Sequence, residues 1–333
     1  MKSPITSKVM PVLNKKADLY FRKEAFTINF HYYYCEDSDE EFTDDKLDGI
    51  NQTQVYNMYR EKYGIPFPDE ISSIREQYGL SSTKMSLVLG LGSNAYRLYE
   101  AGEMPSVANG RLVLSVKQPE AFIRQIEASS HLLTGKEQQK LTDRARKLQE
   151  EQKHDQWNNL LYRHIFGDPC PSEFNGYQTP RLDKIAALIS FFSPKIDLYK
   201  TKMNKILFYC DFVMFKSTAH SMTGIAYRAI PYGPVPVEYD KLYMKLCDDG
   251  SISIVPKLLK DGNYGEIIQS EANGTYTFTD VEQQVLNKVL NKFKGKTTQQ
   301  IVDISHEELG WLENENNKGI ISYQKYAFNL KAI

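Results

Sequence analysis

Between residues 26 and 34 every second side chain is bulky and apolar or aromatic: Phe26, Ile28, Phe30, Tyr32 and Tyr34. A period of two puts all five on one face of a strand. Residues 17–35 therefore read as a β-hairpin, with Arg22-Lys23-Glu24 near its turn and that face toward a core. Little else in the chain repeats the pattern. At 333 residues the sequence is long enough for two or three compact domains, and its 41% hydrophobic and 12% aromatic content fits a folded chain. The expected class is multidomain and mainly α with small β elements.

Helical punctuation follows the hairpin. An acidic run from Glu36 to Asp48 leads into a helix capped near Thr43, with Leu47, Ile50, Val55, Met58 and Tyr59 as its apolar stripe. Pro66 and Pro68 end that unit, and Asp69 is placed to cap a helix carrying Ile71, Ile74 and Tyr78, stopped by Gly79. Short helices over Ser82–Leu89 and Ser93–Ala101, closed by Gly102, complete a helix-turn-helix pattern. Residues 119–166 read as mostly helical, with a thin stripe of Leu141, Ala145 and Leu148. A solvated connecting helix and a dimerising coiled coil both fit that stripe. Asp168-Pro169-Cys170-Pro171 begins a linker that runs to Pro180. An α+β domain follows, with helices expected over 182–192, 201–215, 237–246, 280–293 and 298–304 and strands over 225–230, 252–255 and 266–269.

The net charge of −1 supplies no global basic field for nucleic acid or membrane. Between Pro68 and Gln118, Arg75, Lys84, Arg97, Arg111 and Lys117 are matched by Asp69, Glu70, Glu76, Glu100 and Glu103. Four separated cysteines form no CxxC pair, and the longest apolar stretch, Ile185–Phe192, is too short for a bilayer. A cytoplasmic protein without membrane contact is the expectation. Gly90-Leu91-Gly92-Ser93-Asn94-Ala95 imitates a dinucleotide fingerprint, but the next helix stops at Gly102 and Pro105. His306-Glu307 has no nucleophile tied to it, and Gly295-Lys296-Thr297 lacks the earlier glycine of a phosphate loop. No catalytic residue, metal or cofactor is expected.

Two stretches resemble known families. Ser3-Pro4-Ile5-Thr6 and Cys35-Glu36-Asp37-Ser38 sit where the MqsA-type antitoxin family has the two CxxC knuckles of a zinc ribbon. Three of four sulfurs are absent, so the ribbon shape is expected without zinc. Phe42-Thr43-Asp44, Gln54-Val55-Tyr56, Tyr59-Arg60-Glu61 and Asn94-Ala95-Tyr96-Arg97-Leu98-Tyr99-Glu100 are similar to that family's path into its helix-turn-helix. The resemblance implies operator DNA as a partner, read by Ser93, Asn94, Tyr96 and Arg97, with Asn94 on an adenine. The family often has arginine where this chain has Leu98, and Arg97 stands one position earlier.

From about Arg181 onward the chain resembles the SocA-like, or Panacea, domain. The matching residues are Thr201-Lys202-Met203-Asn204-Lys205-Ile206-Leu207-Phe208-Tyr209-Cys210-Asp211, Thr223-Gly224-Ile225-Ala226-Tyr227 and Tyr232-Gly233-Pro234-Val235-Pro236. The resemblance implies an antitoxin that neutralises a cognate protein toxin, or in one branch delivers it to a protease, without catalysis. On the 201–215 helix, Ile206, Cys210 and Val213 should face the core, while Lys202, Lys205 and Tyr209 share another face. Lys202, Lys205, Tyr209, Asp211, Tyr227, Tyr232, Pro234 and Val235 are the expected toxin-binding residues; packing or solvation is the plain alternative for the stripe. The expected division is 1–42 ribbon-like hairpin, 43–118 helix-turn-helix, 119–180 connector, and 181–333 SocA-like domain. A homodimer fits this plan, as does a stand-alone transcription regulator.

Overall fold

The computed structural model describes residues 1–333 except 155, 168–169, 259–261, 263 and 272–275. Asp168 and Pro169 of the expected linker therefore lie outside the described residues. The chain is mainly α with small antiparallel sheets and divides into two compact units. Met1–Val55 and Ile165–Ile333 form one unit, and Tyr56–His164 forms the other. Contacts thus group the hairpin with the C-terminal part, whereas the sequence suggested a serial chain of four segments.

The hairpin pairs β1 (Val12–Phe21) with β2 (Glu24–Cys35), and β3 (Glu40–Phe42) adds to the far edge of β2. Arg22 and Lys23 both take positive φ, 47° and 70°, which matches the turn to the twist of the strands. The expected single buried face is corrected. Phe26 and Ile28 are buried, but beyond them the buried residues are Asn29, His31, Tyr33 and Cys35, leaving Phe30, Tyr32 and Tyr34 half-buried.

The cause is helix α1 (Asp45–Tyr63), capped by Asp44, whose Oδ1 accepts from the Leu47 N–H at 3.0 Å. The α1 residues Asn51 and Gln54 lie along the part of β2 that β3 does not reach. Asn51 accepts from the His31 N–H at 2.8 Å and donates to its carbonyl at 2.9 Å. Gln54 does the same for Asn29, at 3.0 and 2.9 Å. Two carboxamides thus stand in for a missing strand, satisfying backbone groups that burial would otherwise leave costly.

The inserted unit contains α2 (Pro68–Glu76), α3 (Ser82–Val88), α4 (Ala95–Glu100), α5 (Val107–Ser115), α6 (Pro119–Ala128) and α7 (Gly135–His154). Helix α8 (Gln156–Phe166) leads out of it. Phe67 is the N-cap of α2 and Pro68 opens it, so Asp69 lies in the first turn instead of capping. Tyr78 stacks on Phe122 at 3.8 Å, within a core that also takes Leu141 and Ala145 from α7. The solvated-connector reading of that stripe is corrected: α7 closes the core of its unit.

The C-terminal part begins with α9 (Leu182–Phe192) and α10 (Lys200–Thr218). The hairpin β4 (Tyr227–Ile230) and β5 (Gly233–Pro236) precedes α11 (Tyr239–Asp248), and β6 (Ile252–Leu258) pairs with β7 (Tyr264–Ser270). Helices α12 (Asp280–Phe293), α13 (Thr298–His306), α14 (Leu309–Leu312) and α15 (Tyr323–Tyr326) complete it. Capping boxes Thr279/Glu282 and Thr297/Gln300 start α12 and α13. Helix α10 is buried on nearly every face and centres an aromatic core, with Phe208 on Phe212 at 4.1 Å and Phe212 on Tyr323 at 4.3 Å. The Gly-Pro-Val-Pro stretch is strand β5 itself. It is an edge strand, where proline's missing N–H is tolerated. No helix among the described residues is long and apolar enough to cross a membrane.

Candidate partner-binding site

Helix α10 carries the expected stripe, but the stripe points inward. Lys202, Lys205 and Tyr209 are buried, and each holds a different downstream element. Lys202 Nζ donates to the Lys296 carbonyl at 2.9 Å, Lys205 Nζ to the Pro234 carbonyl at 3.0 Å, and the Tyr209 hydroxyl to Glu308 Oε1 at 3.2 Å. Glu308 in turn accepts the N–H groups of Lys331 and Ala332 at 2.9 and 3.0 Å, fixing the chain's last residues. These three side chains assemble the domain; Lys205 and Tyr209 offer no surface to a partner, and Lys202 only lines a cleft.

Burial pushes the Lys205 ammonium down to about 7. A group depressed in the fold adds stability above its ordinary pKa of 10.5 and loses it as pH falls through the folded value. The stability difference between wild type and Lys205→Met should therefore change between pH 7 and 10, by up to about 1.4 kcal/mol per pH unit in favour of wild type as pH rises. Denaturant midpoints across that range check it; parallel profiles would contradict a depressed Lys205 pKa.

Asp211 is the polar hub two residues beyond Tyr209. Its carboxylate accepts the N–H groups of Met222 (2.8 Å) and Thr223 (2.7 Å), the Thr223 hydroxyl (2.6 Å) and the Tyr227 hydroxyl (2.7 Å). Burial pushes its pKa up to about 6, against the pull of these donors, and four donors with no acceptor hold it ionised at neutral pH. Gly224, at φ +77°, packs against the 179–180 backbone, where a Cβ would meet the Thr179 carbonyl carbon at 2.6 Å. Asp211 and Tyr227 are therefore internal scaffold. Pro234 and Val235 are buried as well.

Tyr232 alone of the eight expected residues stands in solvent, 68% exposed. The turn that bears it is anchored on both sides. Trp311 Nε1 donates to the Ile230 carbonyl at 2.8 Å, and His306 stacks on the Trp311 ring at 3.9 Å. Gly233, at φ +91°, lies against Ser305 and Lys205, so close that a Cβ would meet Ser305 Oγ at 2.4 Å. Burial, then the Lys205 charge, lowers the His306 pKa. Residues 319–321 add to the outer edge of β4, with the Ala229 N–H on the Gly319 carbonyl at 3.1 Å. Exposed Leu312 and Ile320 ride on these supports. The result is a stiff turn that lifts one aromatic side chain, with the His306–Trp311 stack supporting it.

Beside the buried end of Lys202 lies an open cleft of about 1200 Å³, lined by Lys195, Lys200, Lys202, Lys294 and Lys296 with Asp197 and Glu266. Lys200 is engaged by Asp240 at 2.5 Å and Glu266 at 3.4 Å. Lys294 and Lys296 form no ion pair among the described residues, so the cleft keeps positive charge.

In the inserted unit, Ser93, Asn94 and Arg97 are exposed at the start of α4, six residues after α3 ends. Tyr96 is corrected: it is fully buried, and its hydroxyl donates to the Ile71 carbonyl at 2.8 Å. Three of the five cations there are already paired, Arg75 with Glu100 (2.6 Å), Lys84 with Glu137 (2.7 Å) and Lys117 with Glu70 (2.9 Å). Arg97 and Arg111 form no ion pair among the described residues.

The stretches Ser3–Thr6 and Cys35–Ser38 do meet. Ser3 Oγ lies 3.2 Å and Thr6 Oγ1 3.9 Å from Cys35 Sγ. The Ser3 hydroxyl, with Ser38 and Thr6 adding, pulls the buried Cys35 thiol down to about 7. One thiol among hydroxyls is not a zinc donor set; hydrogen bonds to one sulfur tie the two stretches together.

Residues 203–312 match the family described as antitoxin SocA-like, Panacea domain. No curated protein and no solved structure matches the chain.

Proposed function

We propose that this chain is the antitoxin of a toxin–antitoxin pair, which neutralises a cognate protein toxin by binding it through the Tyr232 turn. The match of residues 203–312 to an antitoxin domain supports the role. The observation that carries the site is the exposed Tyr232 on a turn held at Ile230 on one side and at Pro234 on the other. Such a turn loses little freedom on docking, and tyrosine supplies contact area with few rotatable bonds. The lysine cleft adds attraction for an acidic surface on the toxin.

The inserted unit binds operator DNA in this reading, with Ser93, Asn94 and Arg97 at the groove and Arg97 and Arg111 as its unengaged cations. Few phosphates are neutralised per chain, so operator binding requires two copies.

The test co-expresses the full chain with the toxic product of a neighbouring gene, scoring growth and co-purification. Wild type should rescue growth in a stable complex. Tyr232→Ala should weaken that complex about thirtyfold with an unchanged melting temperature, as expected of a hot-spot aromatic. A complex indifferent to Tyr232→Ala moves the site elsewhere. If wild type lowers the partner's level and no complex forms, the chain is a proteolytic adaptor; if no partner binds at all, it is a regulator.

A further inference from the structure

The outward edge of the N-terminal hairpin is built for pairing. Strand β1 is ten residues long, lies at the edge of its sheet, and contains no proline. The Tyr34 N–H bonds to the Pro11 carbonyl at 3.4 Å, which sets the phase of the ladder. With Val12 opposite Tyr33, odd-numbered residues of β1 turn their backbone groups to β2. The engagement of Asn29 and His31 by Gln54 and Asn51, on the far side of β2, agrees with that phase. Val12, Asn14, Lys16, Asp18 and Tyr20 therefore direct their N–H and C=O groups away from the sheet, and all five side chains are exposed. Natural edges of this length are usually blunted by proline, bulges or cover.

We propose that β1 pairs with β1 of a second copy of this chain, antiparallel about a two-fold axis at Ala17. Charge selects both occupant and register. Hydrogen bonding through the outward groups requires even residues to face even residues. With Ala17 on Ala17, Lys16 faces Asp18 of the second copy and Asp18 faces its Lys16, while Asn14 faces Tyr20. On the other sheet face Leu13 meets Phe21 and Lys15 meets Leu19. The two neighbouring registers put Lys16 on Lys16 or Asp18 on Asp18, and like charges directly opposite are disfavoured. Lys16 forms no ion pair among the described residues, and Asp18 accepts only the Thr27 hydroxyl, at 2.6 Å. The pairing does not depend on any toxin.

Sedimentation velocity of the full chain over a concentration series tests this. Wild type should be dimeric. Lys16→Glu should raise the dissociation constant about tenfold, and adding Asp18→Lys to it should restore most of the loss. Lys16→Pro removes an outward N–H but no β1–β2 bond, so it should give a monomer that keeps its melting temperature. Ala17→Cys should crosslink to itself under mild oxidation, mapped by peptide mass, because facing residues of a non-hydrogen-bonded pair lie within disulfide reach. A monomer at every concentration overturns the proposal. So does a dimer untouched by Lys16→Pro, or protection of the β1 edge that arises only when a different protein is added.

Discussion

Asp211→Ala is expected to abolish cooperative folding of the unit formed by Met1–Val55 and Ile165–Ile333. The substitution removes one carboxylate and strands four buried donors: two N–H groups and the hydroxyls of Thr223 and Tyr227. Each buried group without a partner costs about 1–3 kcal/mol, and charge-assisted bonds stand at the upper end. A loss of about 5 kcal/mol or more is of the order of a domain's whole stability. Asp211→Asn should be nearly as harmful, because its NH2 group would point at donors. Tyr227→Phe and Thr223→Val, which each remove one hydroxyl but leave the carboxylate, should cost about 1–3 kcal/mol. Chemical denaturation ranks the four. If Asp211→Ala cost no more than Tyr227→Phe, the carboxylate would not be the hub.

Asp211 also shows what the sequence reveals and what it conceals. The spacing on α10 correctly placed Ile206, Cys210 and Val213 in the core. It gave the wrong direction for the polar stripe. On a surface helix, polarity marks the wet side; α10 has no wet side, so polarity there marks positions where a distant partner supplies an acceptor. Those partners are Lys296, Pro234 and Glu308, about thirty to a hundred residues downstream, beyond the reach of any local period. Tyr232 is exposed because it sits at the tip of the turn between β4 and β5, whatever surrounds that turn. In the inserted unit Ser93, Asn94 and Arg97 were legible as exposed, whereas Tyr96 was read as a contact residue and is core. The hairpin failed in the same way as α10: alternation located the strand, but Asn51 and Gln54 decided which face it buries.

Gln54 therefore makes the second large prediction. Its Oε1 accepts the Asn29 N–H at 3.0 Å and the Gln324 amide at 2.8 Å, and its Nε2 donates to the Asn29 carbonyl at 2.9 Å. Asn29 Nδ2 in turn donates to the Gln324 carbonyl at 3.0 Å. One buried carboxamide thus clasps β2 to α15, 270 residues away in sequence. Gln54→Leu keeps the volume and leaves three buried polar groups unpaired, for an expected loss of about 3–5 kcal/mol and of exchange protection at the Asn29 amide. Gln54→Glu separates chemistry from shape. As a carboxylate it accepts but cannot donate to the Asn29 carbonyl; protonated, it reproduces the amide's one acceptor and one donor. Burial and that carbonyl should raise its folded pKa above the ordinary value of about 4.3. A raised value means the stability is present at low pH and is lost as pH rises through the folded pKa. Gln54→Glu should accordingly approach wild type near pH 4 and fall away toward pH 7. A constant gap between the two proteins across that range would show that the carboxamide does not substitute for a strand.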